Sequence, residues 1–144
     1  MSALNSKFSK IMVAIDGSAD SLKAAEYAIE LAKVFGAQLC AVTVTYESKE
    51  KSDYTNDANK WFQNLDHNAK EKNIEIKTEL INRHVPWPLI PVRTEYVLLE
   101  YAEKEKTDLI VLGTRGQSGF KKLLLGSVAS GVVTYAHCPV IVVK

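Results

Sequence analysis

The residues of this sequence whose types and spacing suggest chemistry are the glycines and hydroxyls of residues 113–127, GTRGQSGFKKLLLGS. This stretch follows the apolar run DLIVLG and precedes the helix-like run VASGVVTYAH. Glycine lets a backbone approach a ligand closely, and the first N–H groups of a helix have no partner within that helix. An anion placed there also meets the positive end of the helix dipole. The stretch therefore predicts a phosphate-binding turn between a strand and a helix.

The better-known phosphate-binding and catalytic motifs are absent from this turn. A Walker loop needs Lys and then Ser or Thr after its second glycine, and a dinucleotide fingerprint needs a glycine where Arg115 stands. The run GQSG brings its second glycine one residue too early for the nucleophile elbow GxSxG. His67, His84 and His137 lack the cysteine or carboxylate spacing typical of a metal site. The sequence thus indicates binding, and we assign no catalytic residue and no metal held by the protein alone.

The composition is that of one ordinary globular domain, which we place at 1–144. Of the 144 residues, 47% are hydrophobic and 24% charged, which is enough to form a core without disulfides or a metal. The formal net charge of +1 gives no reason to expect a nucleic-acid or membrane surface. The start MSALNSKFSK has no signal-peptide core, and Cys40 and Cys138 have no CxxC partner. We therefore expect a cytoplasmic protein with reduced thiols.

The elements that must position the turn alternate along the chain between apolar strands and amphipathic helices. Short β-branched runs predict buried strands, and apolar residues three and four apart predict helices. The segment NRHVPWPLIPVR, residues 82–93, has three prolines within six positions, so we predict neither a helix nor a strand there. The predicted strands are 10–16, 39–45, 74–81, 108–114 and 139–144, and the predicted helices are 22–36, 58–69, 94–106 and 127–136.

This alternation implies an α/β fold with a parallel sheet and helices on both faces. We predict a doubly wound, Rossmann-like sheet of five strands in the order 3-2-1-4-5. Such sheets bind ligands beyond the carboxyl ends of the strands, where the strand order reverses. In this chain those ends carry Asp16-Gly17-Ser18, Thr45 and the stretch that begins at Gly113.

The spacing Gly113-x2-Gly116-x9-Gly126-Ser127 resembles the nucleotide-binding signature of the universal stress protein family, in its ATP-binding type. The opening strand that ends in Asp16 and the phrases TDLIVLGTRG, LLLGSVASGVV and HCPVIVVK are similar to the same family. The resemblance covers nearly the whole chain. It departs at residues 82–93, where relatives usually have a shorter turn with a glycine, so the role of Pro86-Trp87-Pro88 stays open.

The resemblance implies a site for ATP, or for AMP or ADP, with Mg²⁺ carried by the phosphates near Asp16. By resemblance, the backbones of Ala14, Ile15 and Val44 meet the base, and the glycine groups hold the phosphates. Relatives that bind ATP often have a hydroxyl where Ala129 stands. The resemblance leaves two alternatives for this departure: weaker triphosphate binding, or compensation by the Ser130 hydroxyl. The predicted nucleotide-binding residues are Ala14, Ile15, Asp16, Val44, Leu112, Gly113, Arg115, Gly116, Gly126, Ser127, Val128, Ala129 and Ser130.

Three of these residues have a second interpretation that the sequence leaves open. Asp16, together with Ser18, is placed to cap the first helix as well as to face the nucleoside. Ser127 is placed either to donate its hydroxyl to a phosphate or to cap the last helix. Arg115 either screens a triphosphate or belongs to a solvated basic loop.

The function predicted from these observations is adenine-nucleotide binding by a stress-response or regulatory protein. One alternative is a slow, weak ATPase, for which the sequence offers no group to orient water beyond Asp16. Another is a dimer that interacts with proteins without nucleotide, although relatives of that type typically lose the glycines kept here. The apolar last strand, Pro139–Val143, lies at the edge of the predicted sheet, so we expect a second copy to pair with it.

Overall fold

The computed structural model describes residues 8–47, 54–84, 93–114 and 125–144, and every structural statement below refers to them. Strands and helices alternate from the first described strand to the last. The elements are β1 (Lys10–Ala14), α1 (Ala19–Phe35), β2 (Gln38–Glu47), α2 (Tyr54–Glu71), β3 (Ile76–His84), α3 (Thr94–Lys104), β4 (Leu109–Gly113), α4 (Ser127–Tyr135) and β5 (Val140–Val143).

The five strands form one parallel sheet in the order β3-β2-β1-β4-β5. Helices α1 and α2 cover one face of the sheet, and α3 and α4 cover the other. This arrangement confirms the predicted α/β fold class, its strand order and its helices on both faces. It also places β3 and β5 at the two edges.

Apart from Lys10 at the start of β1, the central strands β1 and β4 are apolar because both of their faces are buried. In β1, Ile11 and Val13 point into the core beneath α1 and α2, whereas Met12 points into the core beneath α3 and α4. The same alternation in β4 places Val111 in the first core and Ile110 in the second. Two small cores thus share one sheet, and the strand ends are held from both sides.

The first helix ends at the predicted glycine but begins at Ala19, three residues before the predicted start at residue 22. The Ser18 side chain accepts a hydrogen bond from the Ser21 N–H at 3.2 Å, which caps the N-terminus. The helix ends before Gly36, whose φ of 66° lies in the left-handed region that glycine adopts without strain. The Ser18 cap and the glycine stop are both confirmed.

The third strand extends further than predicted. Residues 82–84 were expected to be irregular, but they pair in register with Thr45–Glu47 of β2. The expectation was wrong because β2 continues to Glu47 and so provides partners for residues 82–84. The last of these, His84, still lies two residues before Pro86. The rest of the Pro-rich segment, with Pro86-Trp87-Pro88, lies outside the described residues.

None of the helices in the described part of the chain has both the length and the hydropathy needed to cross a bilayer.

Candidate functional site

A cavity of about 240 Å³ lies at the carboxyl ends of β1, β2 and β4, beneath the first turns of α3 and α4. The strand order reverses between β1 and β4, so their connections leave toward opposite faces and open a crevice. The predicted site residues that line this cavity are Ala14, Ile15, Asp16, Val44, Leu112, Gly113, Gly126, Ser127, Val128 and Ala129. Ser130 does not line it, and Arg115 and Gly116 lie outside the described residues.

The cavity opens at β1 because this strand ends before its neighbour does. The Ile15 N–H donates to the Val42 carbonyl at 2.8 Å, and the buried Thr43 hydroxyl donates to the Ile15 carbonyl at 2.9 Å. Alternate residues of a strand face the same neighbour, so Val44 faces the β1 side at a point that β1 has already left. Among the described residues nothing bonds the N–H or C=O of Val44 on that side. An adjacent donor and acceptor therefore face the cavity.

Asp16 occupies the turn between β1 and α1. One of its carboxylate oxygens accepts the Ser18 N–H at 2.9 Å, and its own N–H donates to Ser21 Oγ at 3.2 Å. The helix-start role that the sequence offered for Asp16 is therefore present, and the same residue lines the cavity. Asp16 is the only ionisable residue among the described lining residues, so they contain no acid–base pair.

The two ends of the glycine-rich stretch are joined directly. The Gly126 N–H donates to the Thr114 carbonyl at 2.7 Å, and the Thr114 N–H donates to the Val143 carbonyl at 2.9 Å. The Thr114 hydroxyl donates to Asp20 Oδ2 at 2.8 Å, which ties the same point to α1. The chain thus leaves β4 and returns beside it to start α4, as the spacing predicted.

Helix α4 is not capped by Ser127, which was one of the two roles that the sequence left open for this residue. The N-cap is Gly126, with φ −60° and ψ 159°, and Ser127 is the first helical residue. No side chain in the described structure caps this helix, so the proposed cap by Ser127 is wrong. The first helical bond is that of the Ser130 N–H to the Gly126 carbonyl at 2.8 Å. The three preceding N–H groups, of residues 127–129, have no acceptor among the described residues.

Ser130 belongs to the next turn of α4. Its N–H is already used within the helix, its side chain is exposed, and its carbonyl accepts the Thr134 hydroxyl at 2.8 Å. Ala129, by contrast, is buried at the base of the cavity. The structure therefore gives the described helix start backbone donors and one exposed hydroxyl, that of Ser127.

Gly113 is small for a reason that the sequence did not reveal. A Cβ at this position would lie 2.8 Å from both the carbonyl carbon and the Cβ of Asp20. From the sequence, we expected the space beside Gly113 to be occupied by a ligand. In the structure, the start of α1 fills it, so glycine is what lets α1 pack against the end of β4.

Several lining residues were absent from the sequence prediction: Ser21, Val42, Thr94, Leu98 and Thr114. Thr94 and Leu98 come from the first turns of α3, which no strand-end motif marks. Thr94 Oγ1 lies 2.9 Å from the Tyr46 hydroxyl and so links α3 to the end of β2. The available signal was the helix start itself, but which helix start faces the site depends on the tertiary fold.

The cavity has an apolar end and a polar end. Val42, Val44 and Leu98 line the side next to β2 and α3, whereas Thr114, Gly126 and Ser127 line the side next to β4 and α4. Within the described ranges no three His, Cys, Asp or Glu side chains are grouped as a metal site would require. The arrangement fits a ligand with an apolar ring at one end and an anionic group at the other.

Comparison with known proteins gives consistent matches over nearly the whole chain. The model described as "Universal stress protein family" matches residues 7–144. A universal stress protein of Methanocaldococcus jannaschii is 37% identical over 95% of this chain and 82% of its own length.

Solved structures share the same fold. A universal stress protein of Archaeoglobus fulgidus in complex with dAMP has a TM-score of 0.73 and 21% identity, covering 95% of this chain and 98% of its own. An Arabidopsis thaliana family member with AMP bound has a TM-score of 0.66 and 16% identity, covering 94% and 91%. A universal stress protein in complex with cAMP has a TM-score of 0.71 and 24% identity, covering 95% and 97%.

Proposed function

Because the chain belongs to the universal stress protein family, we propose that it binds an adenine nucleotide in the cavity at the ends of β1, β2 and β4. The observation that carries the proposal is the junction of Thr114 with Gly126. At this junction the N–H groups of residues 127–129, which have no acceptor among the described residues, lie at the polar end of a largely apolar cavity. The ligands of three structural neighbours, cAMP, dAMP and AMP, support an adenine nucleotide as the class.

In the proposed pose the base lies between Val42 and Leu98, and its hydrogen-bonding edge meets the Val44 backbone. The Val44 C=O accepts from the 6-amino group, and the Val44 N–H donates to a ring nitrogen. The phosphates lie at the start of α4, where the N–H groups, the helix dipole and the Ser127 hydroxyl favour an anion.

We extend the proposal to ATP as the physiological ligand, with Mg²⁺ carried by its phosphates. Asp16 is the carboxylate that lines the described cavity, so it is the protein group that would face such an ion. Arg115 and Gly116 complete the predicted phosphate site. The free thiols of Cys40 and Cys138 support the proposed cytoplasmic location, where thiols stay reduced.

Binding with a regulatory outcome is favoured over turnover. A slow ATPase would need a group to position and activate water. Among the described lining residues only Asp16 is ionisable, so they provide no acid–base pair for hydrolysis. A dimer that works without nucleotide would have no use for the unbonded N–H groups at the start of α4.

The proposed protein is a homodimer that pairs through β5. This strand lies at the sheet edge, and Ile141 is 37% exposed there. Pairing of the edge with a second copy would cover Ile141 and satisfy the outer backbone groups of β5, beside which the described residues provide no further strand.

The test is calorimetric titration of the purified protein with ATP–Mg and with AMP, preceded by chromatography of nucleotide released on denaturation. Gly126→Val is the test variant, since the φ of −60° at Gly126 accepts valine without strain while the side chain narrows the phosphate end. Ala136→Val is the matched control, because Ala136 flanks the other end of α4 with a similar φ of −64° and ψ of 142°.

We expect micromolar or tighter binding by the wild type and by Ala136→Val, and at least a tenfold loss in Gly126→Val. No heat of binding from the wild type, with no nucleotide released, would contradict the proposal. Equal affinity in all three proteins would show that the phosphates do not bind at the start of α4.

A further inference from the structure

Thr94, which lines the cavity beside Leu98, has a hydroxyl neighbour from the end of β2. The Tyr46 hydroxyl, near the end of β2, lies 2.9 Å from Thr94 Oγ1, in the first turn of α3. Tyr46 follows Val44 by two residues, so both side chains lie on the same face of the sheet, the one that α3 covers. Thr94 itself lines the cavity. The hydroxyl pair therefore stands beside the Val44 backbone groups, along one rim.

The proposed pose leaves one hydrogen-bond donor of the ligand without a partner. The 6-amino group of adenine has two N–H donors, and the Val44 carbonyl accepts one of them. Whichever of the two hydroxyls donates, the Thr94 oxygen keeps at least one lone pair, because a hydroxyl oxygen accepts twice. The other described groups at this end, the side chains of Val42, Val44 and Leu98, are apolar. An amine hydrogen left unpaired there would weaken binding.

Resting on the proposed adenine-nucleotide site, we propose that Thr94 is a specificity-determining residue whose hydroxyl, held by Tyr46, accepts the second N–H of the 6-amino group. The Tyr46 contact fixes the Thr94 rotamer, so the acceptor is oriented before the ligand arrives. The pair then distinguishes a 6-amino purine from a purine that lacks this group.

The test is a double-mutant cycle in which one of the two changes is made in the ligand. AMP and purine riboside 5′-monophosphate, which lacks the 6-amino group, are each titrated by calorimetry into the wild type and Thr94→Val. Valine keeps the shape of threonine and removes the hydroxyl. Thr94→Ser keeps the hydroxyl, and Thr134→Val removes a comparable one from the exposed side of α4.

We expect Thr94→Val to weaken AMP binding about three- to tenfold, the usual effect of one neutral hydrogen bond. Its affinity for purine riboside 5′-monophosphate should stay within about twofold of the wild-type value, since no amine is present to lose its acceptor. Thr94→Ser should restore most of the AMP affinity, and Thr134→Val should leave both ligands unaffected.

An equal loss for both ligands would overturn the inference, because it would make Thr94 a residue that only holds α3 in place. That result would leave the proposed function standing, since the wild type would still bind AMP. A wild type that binds neither ligand would instead refute the proposed function, and this inference with it. Thermal unfolding of each variant identifies any loss that comes from misfolding.

Discussion

Replacing Gly113 by alanine separates the two reasons that this chain has for a glycine at the end of β4. The added Cβ would lie 2.8 Å from the carbonyl carbon and the Cβ of Asp20 and 3.0 Å from the Asp20 carbonyl oxygen. Two of these atoms are backbone in the first turn of α1, so a change of side-chain rotamer cannot relieve the contact. Either α1 or the end of β4 must move.

The expected cost is that of overpacking, about 1–3 kcal/mol in the free energy of unfolding. For a domain of this size that corresponds to a fall of roughly 3–12 °C in melting temperature. The shift should also stretch the 2.8 Å hydrogen bond between Thr114 and Asp20, because the same turn of α1 holds both contacts. Thermal unfolding followed by circular dichroism measures the effect.

Gly36 provides the control, because glycine is needed there for its backbone conformation and not for lack of space. A Cβ there meets nothing within 4 Å, but the backbone φ is 66°. Gly36→Ala should therefore cost roughly 1–2 kcal/mol from the left-handed conformation alone. Gly36→Asn should recover part of that cost, since asparagine tolerates this conformation, whereas Gly113→Asn should be worse than Gly113→Ala.

The result that would refute the packing argument is a Gly113→Ala protein that unfolds like the wild type but no longer binds AMP. That outcome would return the space beside Gly113 to the ligand, as the sequence alone suggested. A protein that is destabilised and still binds AMP once folded would support the packing argument.

Three further predictions concern other parts of the molecule. Partial burial by itself raises the pKa of Asp108, but hydrogen bonds from Ser9 and Lys10 hold that pKa below its ordinary value of 3.8. Asp108→Asn should therefore lower the unfolding free energy by about 1 kcal/mol near neutral pH. Urea titrations should show the difference between the two proteins closing as the pH falls below about 4, where the wild-type carboxylate becomes protonated. If the proposed dimer forms, Ile141→Lys should convert it to monomer in gel filtration with light scattering, and a wild type that is monomeric at micromolar concentration would exclude the proposed dimer. Burial raises the pKa of the Cys40 thiol by more than the hydrogen bond with Tyr101 lowers it, so the net pKa is raised. Iodoacetamide should therefore label Cys40 slowly at pH 7 in the folded protein and quickly in urea, as measured by mass spectrometry. Rapid labelling of the folded protein would contradict this.

The parts of the fold that could be read from the sequence are those fixed by local chemistry. The apolar runs IMVA and LIVLG mark β1 and β4, since both faces of these strands are buried. Gly36 marks a helix end, because few other residues adopt its backbone conformation. The spacing of the glycines from Gly113 to Gly126 predicted a chain that leaves the sheet and returns, and the hydrogen bond between Thr114 and Gly126 closes that loop.

What could not be read depends on neighbours that are distant in sequence. The extension of β3 depends on how far β2 continues, and the space at Gly113 depends on how α1 packs. Ser127 was the cap candidate for α4 in the sequence, and only the backbone angles show that Gly126 holds the N-cap position. Thr94 lines the cavity because α3 is tied to β2 through Tyr46, and no local pattern records such a contact.

The shape of the cavity also depends on α2, which lies on the other face of the sheet. Gly17 turns the chain away from β1 with a φ of 80°, and the Trp61 ring of α2 lies directly against it, so that even a Cβ at Gly17 would collide with the ring. The β1–β2 register ends at Ala14 and Val42, whereas β2 continues beside β3 and presents the Val44 backbone on the side that β1 has left. The Trp61 ring is partly buried, and it packs both against the core beneath α1 and α2 and on this turn. A tryptophan outside the cavity therefore helps to set where β1 ends, and with it the edge that the proposed base would meet.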